Sequence, residues 1–320
     1  MVSHKINFAG QGALHVRLRW LNHLCLPGPP TWQIFRRVRG PADHINLLNL
    51  RRTGISAHFN SSAFQYIFIL FLSSLFSFAL NCSREKTDAY TKIIQHKKLL
   101  VGTDATYPPF ESKDATGRIV GFDIDLMDAI CDKLGVKCEY IVVPFDGIVS
   151  GLNNNKYDAI ISSFTITPQR ETVVDFSKPY YQASQSIAVK LNQEKINSLT
   201  DLKGKRVGVQ LGTTGELLAK RIEGAEIISF DNIGAAFIDL ENRKLDAIIN
   251  DKPTSQRIIA LRGNAKLVGP DLSSENYGIA VRKGEKRLLD AINSALISLE
   301  LSGKLEDLNK KWFSVQTRIQ

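Results

Sequence analysis

Several places along this 320-residue chain put side chains suited to ligand chemistry at the ends of predicted strands or the starts of predicted helices. The first is VGTDATYPPFESKDATGRIVGFDIDLMDAI, residues 101–130. The apolar run from Leu99 to Gly102 reads as a buried strand, and Thr103, Asp104 and Tyr107 follow its end before Pro108-Pro109 stiffens the turn. Strand ends in open α/β sheets are where ligands bind, although Pro-Pro and Gly also serve ordinary loops. Arg170 comes just after the Thr165–Thr167 turn. A guanidinium there can fork onto a carboxylate better than an ammonium can; the competing reading is a surface ion pair with Glu171 or Asp175. Thr213 and Thr214 open a helix bounded by Gly212 and Gly215. A helix start offers N–H groups to an anion, and the same residues would serve as plain caps. Asp251 ends a buried run, where it is either a partner for a cation or a turn residue, and Phe145 taken alone reads as core.

Stepping along the chain, strands and helices alternate. Strand 99–102 precedes a Gly117/Gly121 hairpin and an amphipathic helix over 123–134. Strand 138–143, helix 145–153, strand 159–163 and a short helix after Pro168 follow. The second half repeats the style with strand 206–210, helix 215–222, strand 227–230, helix 232–242 and strand 245–249. A strand over 277–282, a long helix over 285–302 and a terminal helix over 305–312 bring the chain back. Alternating βα units imply a mostly parallel sheet covered on both faces. The pattern predicts two α/β lobes, with crossings near Ser186–Lys190 and Asn276–Val281, and a cleft between lobes is a preferred ligand site.

Composition narrows the partners. The formal charge of +9 suggests nucleic acid or membrane, but its distribution argues otherwise. Residues 1–58 hold eight Lys/Arg and a single acid, residues 59–82 carry no charge, and the remainder is +2. The basic character therefore belongs to the N-terminus, and the body makes no electrostatic claim on nucleic acid. After residue 82 the chain holds one histidine, His96, so a metal site is not expected, nor is a cofactor.

The uncharged segment 60–81, flanked by Arg51-Arg52 and Arg84-Glu85, reads as a signal peptide or an anchor. Cys82 directly after it resembles a lipoprotein cleavage site, although Asn81 replaces the usual small residue. Lipidation at Cys82, cleavage without lipid and a retained anchor are the three readings. Residues 1–58 show no sustained periodicity and read as a non-native or disordered extension, 59–82 as the signal segment and 83–98 as a linker. Lobe 1 is expected over 99–187 and 280–316, and lobe 2 over 188–279. Cys131 and Cys138, seven apart across a helix end and a Gly135 turn, suit a disulfide in an oxidising compartment; two buried thiols are the alternative.

GTDATYPPFESKDATGRIVGFDIDL, FDGIVSGLNNNKYDAIISSFTITPQRETVVDFSKPYY, VGVQLGTTGE and LNKKWF together resemble the polar-amino-acid solute-binding proteins of bacterial ABC importers, over about residues 95–316. The Cys131/Cys138 spacing is similar to that of the lysine/arginine/ornithine- and histidine-binding members. The resemblance implies a two-lobed type II periplasmic-binding fold that captures a free amino acid by hinge closure. It also implies delivery to a membrane permease from a periplasmic or extracytoplasmic location. A zwitterion needs a partner for each buried charge. By resemblance Arg170 takes the carboxylate, Ser163 and Thr165 bond the α-groups, and Thr213 and Thr214 offer N–H groups. Asp251 would pair with the ammonium, and Tyr107 and Phe145 would stack on the side chain. Asp104 would reach its distal end, with Ser162 and Gln210 tuning the pocket. Asp104 favours a polar side chain and suits a cationic one, whereas Phe164 and Thr165 depart from the Ser-Ser-Leu-Ser stretch of the basic-amino-acid binders and Asn250-Asp251-Lys252-Pro253 looks nearer the glutamine-binding style. An amino-acid-sensing lipoprotein without a permease is one alternative, and a dehydratase acting on a prephenate-like substrate is another. Mass spectrometry of the precursor is expected to return no peptide from residues 1–45; finding one would show that this segment is made.

Overall fold

Short apolar runs ended by Gly, Asn and Asp are too brief to stand alone, so they persist only in sheets covered by amphipathic helices. The computed structural model describes residues 88–314, which fall in one compact unit spanning 81–320. The expected extension 1–58, the expected signal segment with Cys82, and residues 83–87 lie outside the described residues.

The first sheet runs Lys137–Val142, Lys98–Thr103, Ala159–Ile160, Ala280–Arg282, Val174–Phe176. The second runs Glu226–Phe230, Arg206–Gln210, Ala247–Asp251, Gln185–Lys190, Ala265–Val268. Each begins with three parallel strands and ends with two antiparallel pairings, so the mostly parallel expectation gives way to mixed sheets. The antiparallel members are strands next to a crossing, which enter their sheet from the other lobe.

The crossings form a two-stranded ribbon. Tyr181–Ala183 pairs with Glu275–Tyr277, setting Tyr277 opposite Tyr181. The first crossing thus comes earlier than the expected Ser186–Lys190, because Gln185–Lys190 already pairs within the second sheet on both of its edges. The expected lobe limit at 187/188 falls inside that strand. Phe110 anchors the ribbon from the first lobe, with ring centroids 4.9 Å from Tyr181, 5.3 Å from Tyr277 and 5.2 Å from Phe313 of the last helix.

Other differences have local causes. Residues 89–96, expected as linker, form a helix whose cap is Asp88, accepting from the Thr91 N–H at 2.9 Å, and Ala89 and Ile93 enter the core. The helix Lys252–Arg262 was not anticipated, although Pro253 opens it and Gly263, at φ 69°, closes it. The strand expected over 159–163 stops at Ile160, and Ser163 adopts φ 47°. Cys131 and Cys138 are joined by a disulfide, with Cα atoms 5.9 Å apart.

Two glycines in the first lobe exist to admit one ring. Tyr157 is fully buried and donates to the Ile148 carbonyl. A Cβ on Gly102 would lie 2.5 Å from Tyr157 Cε2, and one on Gly151 2.2 Å from its hydroxyl. Gly102→Ala should therefore cost about 1–3 kcal/mol through overpacking. A urea midpoint equal to that of the wild type would show that the ring yields freely.

Candidate functional site

Asp104 leaves the end of the strand Lys98–Thr103 of the first sheet. Its N–H donates to Ser162 Oγ at 3.0 Å, and Oδ2 accepts from Thr106 Oγ1 at 2.6 Å and from Gln210 Nε2, on the second lobe, at 2.9 Å. Ala105 beside it holds a left-handed φ of 57°, one of two non-glycine residues in that region at the site, with Ser163. These two strained residues aim Asp104 and the Ser162-Ser163 pair inward. Ser162 Oγ donates to Glu111 Oε1 at 2.9 Å, and the Ser163 N–H donates to Asp123 Oδ2 at 2.7 Å. Hairpin pairing sets Glu111 directly opposite Tyr107, whose hydroxyl donates across the cleft to Asn250 Oδ1 at 2.7 Å.

Arg170 sits on the short helix Pro168–Glu171, whose cap Thr167 accepts from the Arg170 N–H at 3.1 Å. Its guanidinium lies 4.1 Å from the Phe164 ring centroid and 5.5 Å from that of Phe145. Nη1 donates to the Thr165 carbonyl at 2.8 Å and Nη2 to the Gly212 carbonyl, on the second lobe, at 3.1 Å. The surface ion pair with Asp175 does not form, because Asp175 is taken by Lys283 at 2.7 Å. Thr213 caps the helix Thr214–Ala219, accepting from the Glu216 N–H at 3.2 Å. Capping and anion-facing placement therefore coexist. Asp251 accepts from Tyr277 Oη and Gln185 Nε2 and is 6% exposed.

All eleven residues expected at a site, Asp104, Tyr107, Phe145, Ser162, Ser163, Thr165, Arg170, Gln210, Thr213, Thr214 and Asp251, line one narrow cavity. Phe145 is 9% exposed, packs edge-on against Phe164 at 5.8 Å and also lines the cavity. Sequence reasoning missed Glu111, which also lines the cavity. The register of Glu111 with Tyr107 across a tight hairpin was the available clue. It also missed Glu275 and Tyr277, which sit two apart on the return strand and so share a face.

The electrostatics divide the cavity. Burial raises the Asp104 carboxyl above its ordinary value, with Thr106 and Gln210 opposing. Burial, then the neighbouring Asp123 and Asp104 charges, hold Glu111 well above its usual range. Burial pushes Asp123 up to about 6 against the Ser163 N–H and Tyr180 hydroxyl. Burial and then Glu275 push Asp251 up to about 7. Desolvation lowers Arg170 to about 10, and the charges opposing that fall are Glu275 and Asp251.

Two lobes of matching topology, a two-strand hinge and a polar cavity lined from both sides define a two-lobed solute-capturing protein of the type II binding fold. Residues 99–315 match the model of the bacterial extracellular solute-binding proteins, family 3, and the chain belongs to that family. It is 35% identical over 223 residues to ABC transporter arginine-binding protein 1 of Escherichia coli K12, covering 68% of this chain and 91% of that one. An ancestral arginine-binding protein bound to arginine matches with 45% identity and a TM-score of 0.66, over 68% of this chain and 98% of that one. The ancestral amino acid-binding protein AncCDT-1, a precursor of cyclohexadienyl dehydratase, matches with 41% identity and a TM-score of 0.67, over 70% and 99%.

The raised carboxyls have a consequence for stability. Asp251 titrates near 7 when folded and near 3.8 when exposed, so the folded state holds the extra proton between those values. Stability that is present below pH 3.8 is lost as pH rises through about 7, with a slope of about 1.4 kcal/mol per pH unit per proton. Ligand-free protein should lose stability from pH 5 to 7, and Asp251→Asn should flatten part of that slope. Urea titrations across that range giving parallel wild-type and variant curves would exclude Asp251 as a source.

Proposed function

We propose that this protein captures a polar amino acid between its lobes, with arginine, lysine and ornithine preferred, and delivers it to the permease of an ABC importer. The observation that carries this reading is the charge distribution within one cavity. The Arg170 guanidinium is held by carbonyls of both lobes and has no carboxylate within 4 Å among the described ion pairs. Elsewhere in the cavity, the charges acting on Glu111 are Asp123 and Asp104, both of its own sign. A zwitterion with a cationic side chain satisfies both regions. Its carboxylate would meet Arg170 and the start of the helix Thr214–Ala219, and its ammonium would meet Asp251. Its side chain would pass Tyr107 and Phe145 toward Asp104 and Glu111. Ser162, Ser163, Thr165, Gln210 and Thr213 complete the polar lining.

The same family description supports an extracytoplasmic location, and Cys82 after the uncharged segment supports lipid anchoring there. We read the site as binding without turnover. Each cavity carboxyl is engaged: Asp104 by Thr106 and Gln210, Glu111 by Ser162, Asp251 by Tyr277 and Gln185. Closure follows from contacts that need both lobes, such as Tyr107 to Asn250 and Asp104 to Gln210.

The test is a thermal-shift panel of the common amino acids plus ornithine and cystine, on protein unfolded and refolded to strip ligand. Ligand at about 100 times its Kd adds roughly 2.7 kcal/mol, a shift of several degrees. Arginine, lysine or ornithine should shift the midpoint, and Asp104→Asn should weaken arginine about 10–100-fold with less effect on glutamine. A shift with glutamine alone would overturn the basic preference. No shift with any amino acid would overturn the reading and direct the assay to turnover of prephenate and arogenate.

A further inference from the structure

Glu275 lies on the return strand of the hinge ribbon, two residues before Tyr277, and is partly buried. Its Oε2 accepts from Thr165 Oγ1 and from Thr214 Oγ1, both at 2.8 Å, and its Oε1 accepts from Ser273 Oγ at 3.0 Å. Thr165 belongs to the first lobe, where it bridges to Tyr277 of the ribbon. Thr214 is the first residue of a helix on the second lobe. One carboxylate oxygen therefore joins lobe 1, lobe 2 and the hinge at the cavity wall.

The bonds also orient a hydroxyl. Thr165 has one proton to donate, and it goes to Glu275. Thr165 lines the cavity, and its hydroxyl oxygen is left as an acceptor. Asp251 is the other carboxyl on this side, and the charges of Glu275 and Asp251 both act on Arg170. An acceptor hydroxyl beside a carboxylate suits an ammonium and disfavours a group that brings lone pairs of its own. Removing the side chain at 275 would release the Thr165 proton and untie Thr214 from the hinge at once.

We propose that Glu275 is a positioning residue that clasps the two lobes through Thr165 and Thr214 and fixes Thr165 as an acceptor for the ligand ammonium. This rests on the amino-acid reading of the cavity. It adds a residue outside the cavity lining whose effect on affinity runs through closure.

Full-length wild type, Glu275→Ala, Glu275→Gln, Thr214→Val and the double variant Glu275→Ala/Thr214→Val test it. The readouts are calorimetric affinity for L-arginine and for its 2-hydroxy analogue, and the radius of gyration with and without arginine. Glu275→Ala should weaken arginine at least tenfold, reduce the arginine-induced contraction and narrow the preference for arginine over the hydroxy analogue. Thr214→Val should weaken arginine in the wild type and add nothing to Glu275→Ala. Glu275→Gln keeps one acceptor oxygen in place, so it should recover most of the contraction. It also covers the case in which Glu275→Ala does not fold. Wild-type affinity and contraction in Glu275→Ala would overturn the proposal. So would penalties that multiply independently, or a lowered melting midpoint with contraction and preference intact. If the wild type does not bind arginine, the substrate reading has failed. The clasp is then judged by the ligand-free stability cycle of the same variants: coupling of Glu275 with Thr214 supports it and additivity overturns it.

Discussion

Four carboxyls, Asp104, Glu111, Asp123 and Asp251, are each at most 6% exposed, and no lysine or arginine forms an ion pair with any of them among the described residues. Removing such groups from water is the costly step around which this site is built, because an unpaired buried charge is far more expensive than an unpaired dipole. The surrounding structure meets that cost with hydroxyls and amide groups. Ser162 serves Glu111, the Ser163 N–H and Tyr180 serve Asp123, and Tyr277 and Gln185 serve Asp251. What hydrogen bonds leave uncompensated, proton uptake or a cationic ligand must supply. The raised proton affinities are one response to that constraint, and the basic ligand proposed above would be another.

That constraint explains details that look unrelated. The left-handed backbone at Ala105 and Ser163 turns polar groups inward where a continued strand would have pointed them along the sheet. The buried Phe145 and Phe164 rings form the platform that holds the Arg170 guanidinium at a distance from the carboxyls. The guanidinium in turn spans the cleft to Gly212, so the charge that would receive a carboxylate is itself one of the ties between lobes. Binding and closure share atoms, which is the condition under which a ligand can bias a hinge.

The hinge depends on packing of a different kind. Phe110, Tyr181, Tyr277 and Phe313 meet edge-on, tilted or, for Tyr181 and Tyr277, stacked within 6 Å, tying the ribbon to the first lobe and to the last helix. The second lobe meets the ribbon through the strand Gln185–Lys190 and through hydrogen bonds: the Gln185 N–H donates to Ser273 Oγ at 3.0 Å, Thr214 Oγ1 donates to Glu275 at 2.8 Å and Tyr277 Oη donates to Asp251. The ribbon is therefore held by ring packing on one side and by hydrogen bonds on the other.

Much of this was legible in the sequence. Local order fixes the helix over Phe122–Leu134, with acids in its first turn and Gly135 closing it, and the strand Arg206–Gln210 between its Gly-bounded turns. Asp104, Tyr107, Arg170, Thr213, Thr214 and Asp251 stand near a strand end or helix start, a property of short stretches of chain, whereas Phe145, Ser162, Ser163, Thr165 and Gln210 were named through the family resemblance. Three things were decided only in three dimensions. The antiparallel edges of both sheets come from strands crossing between lobes, which no local pattern records. Glu111 and Glu275 look like ordinary polar residues of short strands until the hairpin and the ribbon turn them toward the cavity. The raised carboxyls arise from desolvation and from one another, and both terms depend on distances across the fold. Sequence determined which chemical groups are present and on which local element each sits. Tertiary structure decided which of them are buried together, and therefore which charges are left for a ligand to meet.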